Sequence, residues 1–175
     1  KNVSQGIDRS PALSMANTIK NTIKSRQIAI LVADGVDEDS VTRMKNALQL
    51  EKAMVKIIAP KLGLVKGVNG AAIKADQTFL TAASVLFDAV YVPGGAGSIA
   101  ALLDEEDPVL FVNEAYKHCK AIAIDDEAID LLNATYIGKS IVKKTGKEGV
   151  IINGSPKDFI KAIAQHRFWE REKNG

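Results

Sequence analysis

Five short, nearly unbroken apolar runs constrain this chain more than anything else in it. They are "QIAILVA" (27–33), "AMVKIIA" (53–59), "AVYV" within 88–97, "AIAI" (121–124) and "GVIIN" (149–153). A strand with one wet face alternates apolar and polar residues. A continuous run belongs to a strand covered on both faces, as in a parallel sheet. The segments between the runs carry the helical period. After the first run, "DGVDED" supplies a turn and acidic helix-start residues, and Val41, Met44, Ala47, Leu48 and Glu51 then follow at helical spacing. Further helices are predicted over about 98–103, 107–117 and 126–133. Strands that alternate with helices predict an α/β fold with a doubly wound parallel sheet and helices on both faces. The first crossover is expected to be right-handed.

Local signals refine the boundaries. Pro60 ends the second run, and Asn69-Gly70 within "LGLVKGVNGAAIKAD" predicts a small β-hairpin. Ser155-Pro156-Lys157-Asp158 reads as a helix start, with Ser as N-cap, Pro at the first helical position and an acid three residues after the cap. That helix is expected to turn Phe159, Ile160, Ile163 and Phe168 inward. Residues 1–26 lack strong periodicity, although 11–25 form a short helix if Leu13, Ala16, Ile19 and Ile23 share one side. The organisation read from these signals is a linker or docking arm at 1–26, one domain at 27–170 and a polar tail at 171–175. No internal repeat, low-complexity tract or second domain is visible.

Composition removes several function classes. The 175 residues suit one α/β domain with an arm, and a core of that size hides roughly 68–70% of the unfolded surface without metals or disulfides. A net charge of +2 with scattered lysines leaves no nucleic-acid footprint. The single cysteine, Cys119, excludes an internal disulfide. No apolar run is long enough to span a membrane, and "KNVSQGIDRS" is too polar for a signal peptide. The chain is therefore expected to be soluble. Three N-x-[ST] sequons, at Asn2, Asn133 and Asn153, matter only if it is secreted, so cytoplasmic and secreted locations both stay open.

In sheets of this kind, sites lie at the carboxyl ends of the strands. Three loops are expected there: "DGVDEDS" (34–40), "PGGAGS" (93–98) and "DDEA" (125–128). Gly94, Gly95 and Gly97 permit unusual backbone angles and a helix start with free N–H groups, suited to an anion or oxyanion. The loop lacks Gly-x-Gly-x-x-Gly spacing and a Gly-Lys-Ser/Thr, so a tight turn is the simpler reading. Asp125, Asp126 and Glu127 are adjacent at a helix start. An acid–base pair needs contrasting environments, whereas three consecutive acids there can all face water and act as caps, each worth roughly 0.3–1 kcal/mol. His118 and His166 are expected at the end opposite the site, and two His with one Cys fall short of a structural zinc set. Cys119 reads as a small, partly buried residue. Phe168 and Trp169, near "EREKNG", are read as an amphipathic end and the expected sticky surface.

Taken in order, "RQIAILVADGVDEDSV", "PKLGLVKGVNGAAIKADQTF", "FDAVYVPGGAGSIAALL" and "KAIAIDDEAIDLL" resemble the C-terminal domain of large-subunit haem catalases. The resemblance covers about residues 26–165, and "NVSQGIDRSPALSMANTIK" resembles the connection into that domain from the catalase core. It implies a flavodoxin-like, PfpI/class-I glutamine-amidotransferase-like three-layer sandwich. Active members of that superfamily place a cysteine at the sharp strand–helix elbow, usually as Ala-Ile-Cys-x-Gly. Here "AIDDEA" puts Asp125 at the cysteine's position and Glu127 at the glycine's. Ser40 stands near the place of the acid that supports the thiolate, with Asp37, Glu38 and Asp39 close by, and no histidine follows the elbow at once.

The resemblance thus implies an excised, non-catalytic accessory domain whose elbow (Asp125, Asp126, Glu127) is vestigial, with no catalytic, cofactor or metal residues of its own. Haem is expected in the absent catalase core, where hydrogen peroxide is disproportionated. The implied partners are that core, neighbouring subunits of the tetramer and, through apolar surface, unfolded client proteins, with no nucleic acid or membrane. Two alternatives remain: a PfpI-like hydrolase or glyoxalase, which requires a reactive thiol at the elbow, and a small-ligand sensor built on "PGGAGS". Flavin suits the latter poorly, because the acidic first loop repels phosphate.

Overall fold

The computed structural model describes residues 21–138 and 149–174. Its main sheet contains β1 (Gln27–Leu31), β2 (Met54–Ala59), β5 (Gln77–Thr78), β6 (Ala89–Val92), β7 (Ala121–Ile124) and β8 (Val150–Ile152). The strand order is β5-β2-β1-β6-β7-β8, and every pairing is parallel. β3 (Leu64–Lys66) and β4 (Ala72–Lys74) form the separate antiparallel hairpin expected around Asn69-Gly70. Gly70 turns it at φ +90°. The short edge strand β5 was not legible in the apolar pattern, because Gln77 and Thr78 are polar and only half-buried.

Two-residue periodicity divides the core into two layers. Ala29, Leu31, Val90, Val92, Ile122 and Ile124 face one side. There they meet Ile99 and Leu102 of α2 (Ala96–Leu103), Phe111 and Val112 of α3 (Glu106–Lys117), and Leu131 and Leu132 of α4 (Ile129–Ala134). Ile28, Ile30, Ala89, Tyr91, Ala121 and Ala123 face the other side. Their partners are Val41, Met44 and Leu48 of α1 (Glu38–Leu50) and Phe159, Ala162 and Ile163 of α5 (Pro156–Ala164). Helices cover both faces of the sheet, so the three-layer α/β sandwich is the observed fold. Burying one such Leu, Ile or Phe side chain contributes about 1.5–3 kcal/mol.

The helix ends follow the local chemistry. Asp37 caps α1, accepting from the N–H groups of Asp39 and Ser40. Ser155 and Asp158 form a reciprocal capping box with Pro156 in the first turn of α5. The C-terminus of α3 closes through Cys119 N–H to Tyr116 O and Lys120 N–H to Ala115 O, with Cys119 at φ +57°. This is a Schellman-type ending with cysteine where glycine is usual.

Several expectations need correction. Glu51 is exposed and lies past the end of α1, because its charge has no counterpart in the core. Cys119 is wholly rather than partly buried, at 1% exposure. Residues 21–25 are not helical; Ser25 adopts φ +65° and Ile23 is 1% exposed within the core, so the arm's last turn belongs to the packed domain. The rest of that short helix, including Leu13, Ala16 and Ile19, lies outside the described residues. Phe168 lies beyond α5 yet still packs on the core. Arg171, assigned to the polar tail, is buried; its guanidinium donates to Tyr116 O at 3.1 Å and Lys120 O at 2.8 Å and stacks on the Tyr116 ring.

Candidate functional site

β1 and β6 are neighbours in the sheet although not in sequence, so the chain order reverses between them. Ligands of doubly wound folds bind at such a point, outside the carboxyl ends of the strands. The three anticipated loops meet there. The first loop is pinned on two sides: Gly35 N–H donates to Lys66 O on the hairpin at 2.7 Å, and Asp37 N–H donates to Gly94 O at 2.9 Å. Ala33 N–H donates to the buried Ser98 Oγ at 2.9 Å, tying β1 to the start of α2.

The glycine loop is shaped by these neighbours. Gly95 sits at φ +112°, and a Cβ there would run into Gly35 O and lie 2.8 Å from both Asp37 N and Val36 Cα. Only glycine allows the loop to approach so closely. The result is a pair of N–H groups, Gly94 and Gly95, directed at the elbow after β7.

The elbow's own carboxylates fill that pair. Asp125 Oδ2 accepts from Gly94 N–H at 3.1 Å and from Tyr91 Oη–H at 2.8 Å, and Glu127 Oε2 accepts from Gly95 N–H. Asp126 points elsewhere and accepts from Asn153 Nδ2 at 3.0 Å. This corrects the capping expectation: no side-chain cap bond is present at Asp125, and the residues after it form a 3₁₀ turn, Asp126–Ala128, before α4. The acids answer unpaired N–H groups of another loop rather than of their own helix. The backbone is also relaxed, with Asp125 at φ −81°, ψ 167°.

Around this core of contacts lies an open cleft of about 370 Å³, walled further by Ser40 and Arg43. Ser40 is buried; its hydroxyl donates to Asp37 Oδ2 at 2.7 Å and accepts from Arg43 Nη2 at 2.9 Å. The Ser40 hydroxyl, aided by backbone N–H groups and Arg43 and opposed by burial, holds the Asp37 carboxyl below its usual range. Glu38 is turned away from the cleft, accepting from Asn69 N–H and Ala71 N–H of the hairpin loop. Burial, then the adjacent Asp125 charge, pushes the Tyr91 phenol far above its ordinary range, so it serves only as a donor to the carboxylate.

Neither histidine nor the cysteine reaches the cleft. His118 and Cys119 precede β7, and His166 follows α5, with Phe168 N–H bonded to Cys119 O. Tyr91, Arg43 and Asn153 are the members that sequence reasoning missed. Tyr91 had left a signal: it is the one polar-tipped residue of a wholly buried strand, and a buried phenol needs a partner. Among the described residues, no group of three or more His, Cys, Asp or Glu is arranged to hold a metal ion.

The model of the C-terminal domain found in long catalases matches residues 24–173. The chain belongs to this family. As a long-catalase C-terminal domain it is 39% identical to catalase HPII of Pseudomonas aeruginosa over 167 residues, covering 93% of this chain and 23% of the relative. It is 40% identical to catalase-2 of Bacillus subtilis over 174 residues, covering 98% of this chain and 24% of the relative. The chain thus spans about a quarter of the length of these relatives. Among solved structures, a two-domain Anabaena variabilis protein with DJ-1/ThiJ/PfpI-like and ferritin-like domains superposes with TM-score 0.67 at 22% identity, over 85% of this chain and 48% of that one. Oxidised DJ-1 of Toxoplasma gondii gives 0.64 at 14% identity, over 86% and 97%. These structural likenesses establish the DJ-1/PfpI-like, flavodoxin-like fold. No helix among the described residues is long and apolar enough to cross a membrane.

Proposed function

We propose that this domain is a non-catalytic accessory module of a haem catalase, packing on the catalase core and on neighbouring subunits and stabilising their tetramer. The observation that supports this most is the self-filled cradle. The two N–H groups that would polarise a substrate oxygen are already bonded to Asp125 and Glu127, and the only cysteine is at the other end of β7. An oxyanion hole stabilises a transition state only if its donors are free to meet the developing charge, and covalent catalysis also needs an activated nucleophile. The hydrolase and glyoxalase readings have neither feature to rest on.

The parent activity in this reading is disproportionation of hydrogen peroxide at a haem. The described residues do not fit that group. A cavity of about 490 Å³ between the first loop and α2 has no His, Cys, Tyr or Met in its lining to ligate an iron. His118 is tied to Glu114 beside a cavity of only about 180 Å³, below the roughly 300–1,000 Å³ of ordinary cofactor pockets. Haem therefore belongs to the catalase core in this proposal, and the segment before the buried Ile23 is read as leading from that core. The test is a pair of catalases, one intact and one lacking the segment equivalent to this chain. The expected result is equal initial peroxide turnover with a shorter half-life at elevated temperature for the truncated form. Equal half-lives would refute the accessory role.

A holdase role is a second reading, favoured by the exposed apolar side chains Leu50, Leu62, Leu64 and Leu80, which are 67–88% accessible. Its test is light scattering from a heat-denatured client. Suppression by excess domain supports it, and an unchanged scattering curve removes it.

A further inference from the structure

At the amino ends of the strands, opposite the elbow, lies a second cavity of about 180 Å³ walled by Val85, Lys117, His118, Lys120, Arg167 and Trp169. Lys120 and Asp125 flank β7, which places the two sites about 16 Å apart along the strand. Lys120 is the unusual member. It is 2% exposed, and its ammonium donates to a single acceptor, Ser84 O, at 2.6 Å. An ammonium carries three donors, and a buried charge is costly unless it is paired.

The neighbouring carboxylates are already engaged. Asp88 Oδ1 is shared between Arg26 Nη1 at 3.4 Å and Arg167 Nη1 at 3.6 Å. Glu114 is shared between Lys117 Nζ at 3.5 Å and His118 Nε2 at 3.3 Å. Among the described residues, no carboxylate lies within ion-pair distance of Lys120. Burial, followed by the Arg167 charge, pulls the Lys120 amine down to about 8, against the smaller opposing effect of the more distant Asp88 and Glu114 carboxylates. A second buried polar atom, Ser84 Oγ, also has no partner among the described residues.

We propose that this cavity is a subsite for a small oxyanion. Lys120 and Arg167 supply its charge, Lys117 lies at the exposed rim, and Trp169 forms part of the wall. The volume admits a phosphate or a carboxylate group and is too small for a nucleotide. An oxyanion would give Lys120 a directly contacting counter-charge, which no carboxylate among the described residues supplies. Such a group comes either from a free anion or from an acidic side chain of a partner.

The chain contains one tryptophan, and it walls this cavity, so its fluorescence is a reporter at the proposed subsite. The chain is titrated at pH 7 with sodium phosphate, sodium sulfate and sodium acetate, each against sodium chloride at matched ionic strength. The expected result is a saturable change in Trp169 emission with at least one oxyanion and none with chloride. Saturation by phosphate and sulfate alone identifies a free tetrahedral anion; saturation by acetate identifies a carboxylate source. Lys120→Met is expected to weaken binding tenfold or more, and the surface variant Lys117→Gln about threefold. Oxyanion responses that merely follow chloride, or a Lys120→Met chain that titrates like the parent, would overturn the proposal.

Discussion

Replacing Asp125 by Ala removes one carboxylate and strands two donors. Tyr91 is 1% exposed, so its hydroxyl has little access to water once Asp125 Oδ2 is gone, and Gly94 N–H loses its acceptor in the same step. A hydrogen bond to a charged group contributes about 1.5–3 kcal/mol, and an unsatisfied buried donor costs about 1–3 kcal/mol. We expect a loss of about 2–3 kcal/mol. In a domain of this size, each kcal/mol shifts Tm by roughly 2–4 °C. Tyr91→Phe removes one donor and leaves the carboxylate bonded to Gly94, so about 1 kcal/mol is expected. In the double variant the shared bond is lost once, giving a coupling of about 1–2 kcal/mol. Asp126→Ala is the control: its exposed bond to Asn153 should matter by less than about 0.5 kcal/mol. Urea unfolding of the four variants and the parent measures all of these. If Asp125→Ala unfolds at the parent's midpoint, or Tyr91 and Asp125 contribute additively, the elbow acid is not a structural partner and the reasoning fails.

Other outcomes follow from the same contacts. Gly95→Ala places a methyl group against Gly35 O at φ +112°, so a loss of at least about 2 kcal/mol is expected, visible as a lower urea midpoint. Ser155→Ala breaks the capping box of α5 and should cost about 1 kcal/mol, or roughly 2–4 °C in Tm. Lys120→Met should stabilise the domain near neutral pH. The folded amine is held near 8 against 10.5 when free, so its buried charge is a penalty below pH 8 that fades as pH rises toward 10.5. That difference corresponds to at most about 3 kcal/mol, less the lost bond to Ser84 O. The gap between parent and Lys120→Met should therefore narrow between pH 7 and pH 10, and a constant gap would contradict the sign.

The fold was readable because apolar runs in a parallel sheet are nearly free of polar interruptions, and "AIAI" and "QIAILVA" have few other places to go. The α5 start was readable because Ser155, Pro156 and Asp158 act on adjacent backbone groups. β5 was hidden because its two polar residues pair with β2 through backbone alone. The site was half legible. Sequence placed the three loops at one end of the sheet and recognised that Asp125 and Glu127 stand where a thiol and a glycine would be. It assigned those acids to capping, because a local reading sees only the helix that comes after them. Their real partners, Gly94, Gly95 and Tyr91, are more than 30 positions away, brought together by the β6–β7 register that sets Tyr91 opposite Ala123. Lys120 was unremarked for a related reason: its burial depends on Ser84 and Arg171, on segments that no periodicity links to it.

The central claim is that the glycine cradle is occupied from within. Amide hydrogen exchange at Gly94 and Gly95, followed by NMR, tests it most directly. The account predicts slow exchange at both amides in the parent chain, selective acceleration at Gly94 in Asp125→Ala and at Gly95 in Glu127→Ala, and no change in Asp126→Ala. Fast exchange at both glycines in the parent, unaltered by either substitution, would contradict it.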